Sequence, residues 1–317
     1  MRRIPTIEQS FIDRCYKGFV KELARLNVPL QASGVHQLTD NPNAHNTSVH
    51  WQRGSHYITP QPKQHSVFAE RAGALQPSIL CRSWMDHDNI TRCLNTKVTA
   101  IKIHDNEWLI EDALHRVVGR GQLVILANAM SAQRYAPQLA LSPASGQINL
   151  FHASAPAGVI CDSGYVIATS DGVWSGATFR RGDDKPMLRQ ADELENRQRC
   201  QRYWNIDKHD SLRGWSGVRC TTPDRLPVIG AIPDVDFYQH SYRDLHHGRR
   251  QAHYPRARYI KGLYVMAGLG SRGLVQALYG SQCLADTILG AGERDNALTA
   301  ALHPARFMVR QLRKGPR

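Results

Sequence analysis

Apolar residues recur at Ile7, Phe11, Cys15, Phe19, Leu23 and Leu26, near helical spacing, and Pro29 stops the run. This predicts a first helix packed on one face. Residues 36–66 are polar and rich in Asn, His, Gln and Pro, which predicts loops with one short strand at 49–51. A second helix is predicted over 79–94. Residues 97–103, 107–111 and 115–118 then alternate like three antiparallel strands, with Asp105-Asn106 and Asp112-Ala113 supplying the turns. Residues 122–127 are continuously apolar, as expected of a strand covered on both faces. Strands are predicted at 147–151, 164–168 and 172–179, and a heavily charged helix at 192–204. Towards the end, the apolar run 262–267 meets Gly268-Leu-Gly270-Ser-Arg-Gly273, and a helical pattern follows from Leu274 to Leu289.

These elements give a mixed α/β (α+β) chain with several antiparallel strands, not the regular βαβαβ series of a self-contained dinucleotide domain. The glycine turn has the strand–turn–helix context of a dinucleotide fingerprint. A true fingerprint heads a βαβ unit with further strands behind it, and residues 274–317 show no second clear strand. Two readings stay open. Either this is a tight strand–helix turn that uses Gly for positive φ, or its backbone approaches a nucleotide whose main binding unit lies elsewhere.

Composition narrows the class. The 317 residues, 42% hydrophobic and 21% charged, suit one large domain or two interleaved ones. No apolar run of about 18 residues predicts a membrane span, and the first residues lack a secretory apolar core. Seven scattered cysteines, never in a C-x-x-C, fit a reduced, cytoplasmic setting. His246-His247 has no matching second pair and no H-E-x-x-H accompanies it, so no metal site is expected. The net charge of +13 is partly clustered, at 243–261 and 306–317. Such runs serve solubility or attract an acidic or nucleic-acid partner.

Arg219, flanked by Gly217 and Thr221, sits between two strand-like runs. A guanidinium there can clamp a carboxylate in two-point fashion, or be an ordinary ion-paired arginine. The order and wording of three segments add to this: Trp215-Ser-Gly-Val-Arg219, Asp224-Arg-Leu-Pro-Val-Ile-Gly230 and Gly262-Leu-Tyr-Val-Met-Ala-Gly-Leu-Gly-Ser-Arg-Gly-Leu274. Together they resemble the C-terminal half of the D-amino-acid-oxidase-like flavin amine oxidases, and within them the oxidoreductase half of the bifunctional tRNA wobble-uridine modification proteins (MnmC type). Asn196-Arg-Gln-Arg199 and Leu302-His-Pro-Ala-Arg-Phe-Met-Val-Arg310 match as well, and the likeness runs more weakly back to the first helix.

The resemblance implies a two-domain flavoprotein fold. Residues 62–145 and 221–317 would form a discontinuous FAD-binding domain, and 1–61 and 146–220 a substrate domain with a mixed or antiparallel sheet. It implies FAD as cofactor. Gly268, Leu269, Gly270, Ser271, Arg272, Gly273 and Leu274 would lie against the flavin ring and ribityl chain, Val98 near the adenine, and Ala127 and Asn128 at the inner strand edge. Arg219 would pair with the substrate carboxylate. The implied reaction removes the carboxymethyl group of carboxymethylaminomethyl-(2-thio)uridine in tRNA as glyoxylate, by hydride transfer to flavin. The family's N-terminal strand and G-x-G-x-x-G turn, and the methyltransferase domain of the bifunctional proteins, have no counterpart here. The resemblance therefore implies an FAD domain incomplete at its N-terminus that holds FAD poorly alone, or one completed by a separate chain. Other readings are an inactive tRNA- or partner-binding remnant and a small amino-acid oxidase of the glycine-oxidase type. One local departure is Asn128-Ala129, where the family usually has Asn-Gly.

Overall fold

The computed structural model describes residues 7–30, 32–39, 51–52, 65–153, 158–204, 206, 211–248, 253–290 and 296–315. The elements begin with α1 (Ile7–Leu26), β1 (Ala32–Thr39), β2 (Trp51–Gln52), β3 (His65–Ala74) and α2 (Pro77–Met85). Next come β4 (Ala100–His104), β5 (Glu107–Glu111), β6 (Val117–Gly121), β7 (Val124–Leu126), β8 (Ser142–Phe151) and β9 (Gly158–Cys161). They continue with β10 (Tyr165–Thr169), β11 (Gly172–Gly176), β12 (Arg180–Arg181), α3 (Gln190–Gln201), β13 (Arg213–Thr221) and β14 (Val228–Pro233). The last are α4 (Val235–Ser241), β15 (Tyr259–Ala267), α5 (Gly273–Leu289), α6 (Asn296–Leu302) and α7 (Ala305–Lys314).

Local chemistry explains most boundaries. Asp105 and Asn106 have φ of 49° and 64°, the pair of positive values a tight hairpin turn needs. The strand predicted from 115 starts instead at Val117. Asp112 folds the chain back by accepting from the N–H groups of Leu114 and Arg116 at 2.8 and 3.0 Å, and His115 takes φ 58°. The helix predicted over 79–94 stops at Met85. Asp86, Asp88 and Asn89 follow, residues whose side chains compete for backbone partners and favour turns. The stretch predicted as loops is entered at both ends by strands: β1 runs on to Thr39 and β3 starts at His65, and the two pair antiparallel from Ala32↔Ala74 to Thr39↔His65. The short strand predicted at 49–51 meets β2 at Trp51; residues 49 and 50 lie outside the described ones.

The chain divides into two compact units. The first comprises Met1–Glu22, Asp88–Pro143 and Arg219–Arg317; the second comprises Leu23–His87 and Ala144–Val218. These bounds follow contacts, so most of α1 belongs to the first unit and α2 to the second, unlike the division by expected role.

The first unit holds the sheets β14-β15-β7 and β4-β5-β6. Trp108, Val124, Leu126, Val228, Ile232, Leu263 and Val265 share its main core. Phe11 and Cys15 of α1, Ile229, Leu284 of α5 and Leu302 of α6 form a second cluster. The apolar run 122–127 differs from expectation. Among the described residues β7 bonds to β15 alone, and while Val124 and Leu126 are buried, Leu123 and Ile125 are 46% and 47% exposed. One face of this strand is covered, not both.

The second unit is built on a nine-stranded sheet, ordered β12-β8-β11-β10-β9-β1-β3-β2, with β13 also on β8. Helix α3 buries Asp192, Asn196, Arg199 and Cys200. Asn196 donates to the Gln147 carbonyl and Asn149 Oδ1 at 3.0 and 2.9 Å, and its own carbonyl accepts from Ser175 Oγ at 2.8 Å. Arg180 grips the buried Asp192 carboxylate with two nitrogens. A hydrogen-bonded polar layer thus joins α3 to the sheet, with Arg199 Nε its one buried atom left without a partner among the described residues.

Candidate functional site

Every candidate residue falls in the first unit. The parallel pair β7–β15 organises them. Leu263 faces Val124 and Val265 faces Leu126, so both strands end at the same edge. Ala127 and Asn128 follow β7, and Gly268 follows β15. The carboxyl edge of parallel strands is where α/β sheets place ligands. Ala127, Asn128, Ser271 and Arg272 are exposed there, and Leu269, Gly270, Gly273 and Leu274 are half-buried.

The two leading glycines of the turn are required by backbone, and the first by space as well. Gly268 has φ 73°, and a Cβ there would stand 2.5 Å from Thr222 Cγ2. Gly270 has φ 58°, and a Cβ on it would find only Thr221 Cγ2, at 3.9 Å. Gly268 is closed against protein, whereas Gly270 borders open space. Gly273 is ordinary right-handed helix at φ −53°. The first turn of the 17-residue α5 has no side-chain cap, so its N–H groups and the positive end of the helix dipole are available to anionic or carbonyl oxygen. Uncapped amides, room over Gly270 and the strand edge together fit the rim of a flavin.

Arg219 is half-buried on β13, two positions before Thr221 and hence on the same strand face. That is the face Gly270 borders. Cys220 between them points the other way and is buried. Burial pushes its thiol up, partly offset by a hydrogen bond with the Gly268 backbone. Val98 is tied to the edge less directly. Its carbonyl accepts from the Tyr135 hydroxyl at 2.8 Å, at the end of the short helix Ala129–Arg134 that Asn128 begins.

Sequence reasoning missed the support behind the turn. Arg306 of α7 is buried and holds Asp224 through two nitrogens, each at 2.9 Å, while donating to the Leu226 carbonyl at 2.7 Å. Thr222 Oγ1 donates to the same carbonyl, also at 2.7 Å. This fixes the 222–226 turn whose Thr222 methyl abuts Gly268. Burial opposes ionisation of Asp224, yet pairing with Arg306, then Arg310, holds its carboxyl below the usual carboxylate range. The basic run 306–317 is therefore not wholly a surface for an acidic partner: Arg306 and Arg310 serve Asp224. Also missed is Gln276, buried in the second turn of α5 with its Oε1 lacking a hydrogen-bond partner. A polar residue interrupting the run Leu274-Val275-Gln276-Ala277-Leu278 was the available signal. Among the described residues there is no cluster of His, Cys, Asp or Glu able to hold a metal, and no helix long and apolar enough to cross a membrane.

Known proteins share this fold. Glycine oxidase from Geobacillus kaustophilus superimposes with a TM-score of 0.71 at 15% identity, over 96% of this chain and 84% of that one. Iminodiacetate oxidase from Chelativorans gives 0.68 at 16%, over 93% and 84%. The fold is thus D-amino-acid-oxidase-like. In sequence, the chain is 34% identical over 252 residues to the tRNA 5-methylaminomethyl-2-thiouridine biosynthesis bifunctional protein MnmC of Aromatoleum aromaticum, covering 75% of this chain and 38% of that protein. The Burkholderia multivorans protein of the same name is 35% identical over 240 residues, covering 71% and 36%. The chain thus spans about two fifths of the length of the curated relatives it matches. Residues 18–287 match the family model of FAD dependent oxidoreductases (DAO), and the chain belongs to that family.

Proposed function

We propose that this chain acts in the oxidative removal of the carboxymethyl group from carboxymethylaminomethyl-(2-thio)uridine in tRNA, releasing glyoxylate. The observation that carries the reading is the glycine turn at the carboxyl edge of β7–β15, beside the strand face that bears Arg219. Flavin, when bound, supplies the acceptor for the hydride leaving the carbon next to the amine nitrogen. The chain's own residues orient and bind. The amides of residues 268–274, with Ala127 and Asn128, hold the flavin edge, and Val98 flanks the adenine. Arg219 pairs with the substrate carboxylate, fixing its plane and so the reacting carbon. On this reading residues 62–145 and 221–317 carry the cofactor, and 1–61 and 146–220 shape the substrate side.

A second element of the proposal rests on β7, which among the described residues is hydrogen-bonded on one side only. A strand–G-x-G-x-x-G–helix unit outside these residues, on a separate chain or domain, pairs along its open edge and supplies the pyrophosphate site. Purified alone from FAD-supplemented cells, the chain is expected to carry little flavin and to gain it on co-expression with such a unit. Stoichiometric flavin on the chain alone overturns this second element.

The activity is tested by incubating the FAD-loaded protein with tRNA carrying the carboxymethylaminomethyl group and measuring glyoxylate. Arg219→Ala is expected to raise KM about 10- to 150-fold, the range of a hydrogen bond to a charged group, with flavin absorbance retained. Unchanged kinetics in the variant remove Arg219 from the site. Glyoxylate from free glycine but not from tRNA replaces the substrate with a small amino acid.

A further inference from the structure

The sheet of the second unit has two unlike faces. Helix α3 and its polar layer cover one. On the other, direct opposition places Leu150 and Ile148 of β8, Ile167 and Tyr165 of β10, and Trp174 and Gly176 of β11 together. Trp215 of β13 lies against Trp174, with ring centroids 4.9 Å apart and planes 35° from parallel. Trp215 is 42% exposed. Arg213 precedes it by two positions and so shares its face of β13. Arg181, opposite Ala144 on β8, joins the same face of the sheet, because Ala144, Ile148 and Leu150 alternate together. Both arginines are exposed, and neither has a side-chain partner among the described residues. None of β8, β10, β11, β12 and β13 contains an Asp or Glu.

We infer that this face is a stacking platform for unpaired bases of single-stranded RNA. Trp174 and Trp215 offer the indole surface and Arg213 and Arg181 take the flanking phosphates. The inference rests on the reading above in taking RNA as the substrate class. The charge pattern decides against a purely apolar occupant: two unpaired guanidinium groups on strands free of carboxylates suit a polyanion. The indole pair decides against a duplex, whose bases are already stacked and whose grooves give little access to ring faces. Every base has a ring face, so the platform holds an anticodon-like loop without reading its sequence.

The test uses the whole chain and a short fluorescein-labelled oligouridylate, read by anisotropy and by quenching of tryptophan emission. Saturable binding with quenching is expected. Trp174→Leu and Trp215→Leu should each weaken it about five- to 150-fold, the range of base–aromatic stacking, with an unchanged salt slope. Arg213→Gln should lower the salt slope by about one. Trp215→Tyr, which keeps a ring, should retain most of the affinity and guards against a misfolded leucine variant. Wild-type affinity in both leucine variants, or equal binding of duplex RNA, overturns the inference. So does loss of self-association in sedimentation, with RNA binding intact, for Trp215→Leu. None of these readouts needs flavin or turnover. Quenching without glyoxylate release therefore sinks the oxidase reading alone. Glyoxylate release with no quenching, undiminished in both tryptophan variants, sinks the platform alone.

Discussion

Ala129 adopts φ 53° immediately after Asn128, at the carboxyl end of β7. A left-handed residue with a Cβ carries roughly 1–2 kcal/mol of strain. Glycine would relieve that, at an unfolded-state entropy cost of about 0.4–1 kcal/mol. Ala129→Gly is therefore expected to stabilise the protein by roughly 0.5–1 kcal/mol, visible as a rise of about 1–4 °C in Tm. Alanine at this position thus has a physical cost. Gly268 sets the opposite case. There Ala would keep the strain of φ 73° and press on Thr222, which the Asp224–Arg306 pair holds in place. Gly268→Ala should lower Tm where Ala129→Gly raises it. The same sign from both substitutions in a thermal melt would show that left-handed strain does not govern this edge.

The junction of α6 and α7 is an element whose stability depends on pH. His303 packs 5.0 Å from the Tyr259 ring and accepts from the Ala305 N–H through Nδ1 at 3.1 Å. Burial, and then the charge of Arg306, push its pKa down to about 4. The unfolded chain takes up this proton below about 6.5, whereas the folded one resists until about 4. Stability is therefore full above 6.5 and falls as pH drops through that window, at most by about 1.4 kcal/mol per unit. His303→Gln retains an acceptor for Ala305 and should flatten the decline of Tm between pH 6.5 and 4. The decline should not vanish, because burial lowers His36 as well. An unchanged profile would clear His303 of this role. Elements of this kind also show what the chain's wording made legible. The apolar stripe of α1 and the Asp-Asn hairpin could be read directly, because burial follows period and turn chemistry there. Helix α3 reads as heavily charged, yet its spacing of Asp192, Asn196, Arg199 and Cys200 is that of an inward face. Hydrophobic periodicity does not register a face whose buried side chains are mostly hydrogen-bonded polar groups. β1 and β3 were hidden by His, Gln and Thr, since their stability comes from a partner nearly thirty positions away (Thr39↔His65 being the nearest pair). The glycine turn was legible from its spacing, but Arg306 was not, because nothing local links it to Asp224.

At the scale of the whole molecule, the charge excess and the open strand act together. Part of the basic excess is neutralised internally, as with Arg180 on Asp192 and Arg306 on Asp224. The remainder keeps copies apart through long-range repulsion that salt screens within about 10 Å at 0.1 M. Against it stands β7, an edge unpaired among the described residues, with Leu123 and Ile125 exposed. Exposed apolar edges template association unless charge or covering chain blocks them. Ile125→Lys puts a charge on that face while leaving Val124 and Leu126 in the core. It is expected to change stability by less than about 0.5 kcal/mol, as surface substitutions do, and to suppress the salt-induced rise in light scattering on heating. The two readouts separate the cases. Lower scattering at constant Tm marks the face as open in the isolated chain, whereas a fall in Tm worth more than about 1 kcal/mol would mean that Ile125 is covered in solution and that β7 is not a free edge.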